Sequence, residues 1–183
     1  ALNVDKQPVV FSTNLLMYVI FGFALIVLSL ALYDRLKSGA PALMQIATAV
    51  GIVWAGSLIA SGMAANAGLA AIVPVYAKDP TQAGLIFQAI EAITNGLGNA
   101  NGEILGGPLT LLVSLAALRT GGLPKALNVL GVLIGVVGII TIIPALNTLV
   151  AVFGLGQIVW FVWLGIVLLR GDPQGELLSA AEI

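Results

Sequence analysis

The sequence predicts an all-α integral membrane bundle of five transmembrane helices, with helices two and three long and partly extramembrane. Three observations carry this: 60% of the 183 residues are hydrophobic, 8% are charged, and the apolar residues fall into long runs parted by short polar or proline-bearing joints. Soluble domains carry about a quarter of their residues as charges. A helix crossing a hydrocarbon core about 30 Å thick needs roughly 20 apolar residues, and the chain can be cut to that length in five places.

The first span covers about 11–32 and is closed by "YDRLKSGAP". Its flank carries Asp5 beside Lys6, and no small-x-small cleavage site follows, so it is read as a retained span rather than a signal peptide. The second covers about 42–65, just after Pro41, whose missing N–H loses nothing in a first turn. The third, about 99–118, ends at "LRTGG"; the fourth, about 124–143, runs from Pro124 towards Pro144; the fifth is about 146–169. Residues 66–98 are expected to form an outer hairpin. Together these make a single transmembrane domain over 1–170, with a short cytoplasmic tail over 171–183.

Charge sets the expected orientation. Arg35, Lys37, Arg119, Lys125 and Arg170 fall on one side of this arrangement, and only Lys6 and Lys78 on the other. The positive-inside rule then puts the amino terminus outside and the carboxyl terminus in the cytoplasm. The net charge of −1 and the lack of a Lys/Arg cluster argue against nucleic acid and against a polybasic lipid-binding surface. With no Cys and no His, disulfides, thiol redox chemistry, imidazole relays and His- or Cys-ligated metals are unavailable. No cofactor and no metal site is predicted.

The polar residues concentrate in "EAITNGLGNANGE", which ends at Glu103. On one continuous helix at 100° per residue, Gln88, Glu91, Asn95, Asn99 and Glu103 share a 120° sector, opposite Ile86, Ile90, Ile93 and Leu97. At 1.5 Å per residue the 38 residues from Thr81 to Leu118 would extend roughly 57 Å, so part must lie outside the membrane core, and the glycines at 96, 98, 102, 106 and 107 leave open close packing or a break or kink in this helix. Counted back from Arg119, Glu103 falls about 24 Å up and Glu91 about 18 Å further, too far apart for an acid–base pair. Three readings follow for the stripe. It is the wet side of an extramembrane helix, a water-filled vestibule leading to a solute or cation path, or one face of a helix lying flat on the membrane.

Other features read first as packing. Gly131, Gly135 and Gly138 form a smooth groove on span four, and Ser57 and Ser61 lie on a second small-residue surface. Gln157, alone in span five, is expected to act as interhelical glue or to extend the polar path. Trp160, Trp163 and Arg170 read as interfacial anchors, whereas Trp54, mid-span, fits core, lipid or another subunit. "GNANGEILGG" lacks GxxxxGK[ST] and follows no strand, and Ser has no His or Lys partner at recognisable spacing. No catalytic residue is assigned, and no enzyme activity is expected.

"RTGGLPKALNVLGVLIGVVGII" followed by "VWFVWLGIVLLR" resembles the later half of a bacterial multi-pass membrane protein family catalogued only as a domain of unknown function. The shared elements are a short basic loop, Leu-Pro, a glycine-spaced span, and a span ending in Trp, Leu-Gly and Leu-Arg. The resemblance covers roughly Arg119 to Arg170. It implies architecture and the bacterial cytoplasmic (inner) membrane, not an activity. The expected function is that of a non-enzymatic packing or accessory subunit of a homo-oligomer or larger complex in the lipid bilayer. The alternative is a small channel or transporter for a small solute or cation along the polar stripe.

Overall fold

The computed structural model describes residues 7–99 and 103–170, and every regular element among them is helical. The chain is an all-α bundle. Helix α1, Gln7–Leu36, includes a π-helical turn at Leu15–Ile20. Helix α2, Pro41–Tyr76, is continuous for 36 residues, even through Pro74. Helix α3, Pro80–Thr94, runs into a π-helical turn, Asn95–Asn99. Helix α4 is Glu103–Thr120 and α5 is Lys125–Ile140. A 3-10 turn, Pro144–Leu149, leads into α6, Val150–Arg170.

Four stretches are long and apolar enough to cross a membrane: Gln7–Leu36, Pro41–Tyr76, Pro80–Thr120 and Val150–Arg170. The fifth helix, α5, is apolar but has only 16 residues, a rise of about 24 Å. It stops short of the expected 143 because Thr141 turns the chain. The Thr141 hydroxyl donates to Gly138 O at 2.6 Å, and Pro144, which has no N–H, opens the 3-10 turn. The last helix consequently starts at Val150 rather than 146.

At the middle of the molecule the structure decides what the sequence leaves open, whether the helix breaks near its glycines. The region from Thr81 to Leu118 is not one continuous helix, because Gly98 leaves the helical region (φ 178°, ψ −14°) and the next described helix starts at Glu103. A Cβ on Gly98 would stand 3.2 Å from Ser57 O, so glycine lets the bent backbone rest on the backbone of α2. Ser61, fully buried on α2, donates its hydroxyl to Thr94 O at 2.8 Å, just ahead of the turn. The 100°-per-residue projection therefore cannot be carried from Gln88 to Glu103.

The α2–α3 turn is built locally. The Asp79 carboxylate accepts from Thr81 N at 2.9 Å and Gln82 N at 3.0 Å, and Pro80 occupies the first turn. Small residues then let the helices approach. A Cβ on Gly68 would meet the Ile90 side chain at 2.6 Å, joining α2 to α3; one on Gly62 would meet Tyr18 Cβ at 2.6 Å, joining α2 to α1. Trp54, buried in the core, stacks with Phe161 of α6 at 6.4 Å and meets Phe21 of α1 edge-on at 6.4 Å. It is a core residue.

Candidate functional site

The upper part of α1 and the α2–α3 hairpin bring polar groups together around one cavity. It measures about 170 Å³ and is lined by Asn14 of α1, Ala65, Leu69 and Ile72 of α2, and Phe87, Glu91, Thr94 and Asn95 of α3 and its turn, among others. Asn14 Nδ2 donates to Asn66 Oδ1 at 2.9 Å, and Asn66 Nδ2 donates to Phe11 O at 3.2 Å, tying α1 to α2 at this level. Thr94 is buried, with its hydroxyl on Glu91 O at 3.1 Å. Neither Asn14 nor Asn66 stood out in the sequence, although each is a lone amide in an apolar run, the signal that drew notice to Gln157.

The polar stripe is distributed rather than assembled. Gln88 and Glu91 are exposed on α3, Asn95 is half-buried at the cavity, and Glu103 is half-buried at the start of α4 beyond the bend. The side chain of Asn99 lies outside the described residues. Gln157 is elsewhere, 6% exposed in the core, where its Oε1 accepts from Thr110 Oγ1 at 3.0 Å. That bond joins α4 to α6. Among the described residues, no three acidic side chains gather where they could hold a metal ion.

The glycine face of α5 is filled by the protein's own helices. A Cβ on Gly135 would lie 2.7 Å from Leu111 Cβ and 2.8 Å from Gly107 O, both on α4. One on Gly138 would lie 2.6 Å from the Phe153 ring, and one on Gly131 would lie 2.5 Å from Trp160 Nε1, both on α6, with Ser114 of α4 closer still. Trp160 is 1% exposed and is thus wedged between helices rather than anchoring at a lipid-facing surface. Trp163 is exposed, and Arg170 lies at the end of α6, where an interfacial position remains open to both. On α2, Ser57 is half-buried with its hydroxyl on Val53 O at 3.0 Å, while Ser61 serves the bend.

At the opposite end from the α2–α3 turn, α1 finishes beside the α4–α5 loop: Arg35 Nε donates to Gly122 O at 3.3 Å. Lys37, which follows α1, is held by Asp34 at 2.5 Å, and that hydrogen bond raises its pKa above the usual lysine value. Both partners are in solvent, so the pair adds little stability.

The length and apolarity of these helices and their glycine-mediated packing define the class: an all-α, multi-span membrane protein. Comparison with family models, with curated proteins and with solved structures gave no match.

Proposed function

We propose that this chain is a non-enzymatic subunit of a membrane assembly, acting through contact with further copies of itself or with other membrane subunits. The observation that supports this reading is the α2–α3 hairpin. α2 alone extends about 54 Å, well beyond a core of about 30 Å, and carries no charged residue. The hairpin still displays Leu85, Ile93 and Met63 at 65%, 62% and 61% exposure. Large apolar side chains this exposed, on helices longer than a bilayer is thick, call for a protein cover as well as lipid. The glycine face of α5 cannot supply that contact, being used within the chain.

The chain sits in a bacterial inner membrane in this proposal, with the hairpin outside. The resemblance of residues 119–170 supports the first point. The basic residues Arg35, Lys37, Arg119, Lys125 and Arg170, all at helix ends away from the hairpin turn, support the second. The test is native mass spectrometry of the affinity-purified particle after gentle extraction. Stoichiometric foreign subunits or additional copies are expected. A particle containing one copy of this chain alone refutes the proposal.

The second reading is a small channel or transporter, favoured by the cavity between α1, α2 and α3 with Asn14, Glu91 and Asn95 on its wall. Flux in liposomes decides it. Glu91→Gln and Glu103→Gln, tested one at a time, must change rate or ion preference; unchanged flux in both removes the channel reading.

A further inference from the structure

A second cavity, of about 430 Å³, opens at the end of the bundle away from the hairpin turn. Its lining includes Arg35 and Arg170, 135 residues apart in sequence, with Gly122, Leu123, Ile166 and Val167 between them. Arg35 spends only its Nε–H, on Gly122 O, and keeps its remaining guanidinium donors. Among the described residues Arg170 has no ion-pair or hydrogen-bond partner, and the nearby Asp34 is engaged with Lys37. Among the described residues, the wall therefore holds two cations without a counter-charge.

We propose that this cavity binds the phosphate headgroup of an anionic membrane lipid, with an acyl chain lying along Ile166 and Val167. Planar guanidinium forks match phosphate oxygens in bidentate fashion. The loop also carries the start of α5, where Pro124 at the N-cap makes no side-chain cap, so the positive end of that helix faces the same loop. Position favours a lipid over a free anion. Both arginines come at or within a residue of the ends of long apolar helices, Gln7–Leu36 and Val150–Arg170, where lipid headgroups lie. An apolar floor beside two cations suits an amphiphile, and basic pockets between helices at the membrane boundary take anionic headgroups.

The test uses the full chain, delipidated and returned to nanodiscs holding equal amounts of phosphatidylglycerol and phosphatidylcholine. Retained lipids are counted by native mass spectrometry. Wild type is expected to retain phosphatidylglycerol preferentially. A basic residue near the surface contributes about 1 kcal/mol to such binding, or about five-fold. R35Q/R170Q should then lower the preference by more than about ten-fold. R119Q/K125Q removes the same charge from the same end without touching the cavity's two arginines and should keep most of it. R35K/R170K preserves charge but not the fork, should fall between, and monitors folding. Equal losses in the two neutralised variants would show that bulk charge, not this cavity, selects the lipid and would overturn the proposal. Displacement of phosphatidylglycerol by millimolar inorganic phosphate would overturn the lipid as occupant.

Discussion

Gly135→Ala tests the packing that holds α4 against α5. The added methyl carbon would stand 2.7 Å from Leu111 Cβ, 2.8 Å from Gly107 O and 2.8 Å from Leu111 N. Carbon atoms rest at about 3.5–4.0 Å, so the helices must part by roughly 1 Å. Two of the three obstacles are backbone atoms and cannot rotate away. Overpacking of this kind costs about 1–3 kcal/mol, and every neighbouring contact along the α4–α5 seam weakens with it. Taking about 2 kcal/mol, and about 2–4 °C per kcal/mol for a chain of this size, Tm should fall by roughly 4–8 °C. The comparison is Gly56→Ala, where nothing lies within 4 Å of the new carbon. There the better helix propensity should leave stability unchanged or raise it by up to about 1 kcal/mol. Both are measured by thermal unfolding in one detergent, followed by tryptophan fluorescence. If the two variants unfold at the same temperature, the glycines of α5 are not what brings these helices together.

Three further outcomes follow from single contacts. A double-mutant cycle over Gln157→Leu and Thr110→Val should give a coupling of about 0.6 kcal/mol, the usual size for a hydrogen bond between membrane helices; zero coupling in unfolding measurements would deny the bond. Asp79→Ala should cost about 1 kcal/mol and speed amide exchange at Thr81 and Gln82, with exchange in α5 unaffected, as read by hydrogen–deuterium exchange. Ser61→Ala leaves the Thr94 carbonyl without this buried donor and should destabilise by about 1–3 kcal/mol, with faster exchange confined to the bend around Asn95–Asn99; uniform exchange across α2 and α3 would contradict this.

The class could be read from the chain alone. Runs of about twenty uncharged residues leave a chain no way to satisfy its backbone except as helices, and that requirement is local, so the apolar runs, Pro41 and the "LRTGG" stop were all legible. Small residues at helical spacing also marked α5 as a packing helix. Tertiary structure decided everything that depends on which surfaces meet. The bend at Gly98 rests against the α2 backbone, where an added Cβ would stand 3.2 Å from Ser57 O, and no local residue pattern separates such a glycine from one in a straight helix. The same bend divides the polar stripe that a continuous helix would have kept whole. Trp160, in a position typical of an interfacial anchor, is buried because Gly131 and Ser114 open a place for it. Composition showed no cluster of basic residues, yet folding sets Arg35 and Arg170 on one cavity, since α1 and α6 both finish at this end of the bundle and bring residues distant in sequence to a common level. Spacing along a chain reports only its own helix; charge density at a surface is a property of the assembled bundle.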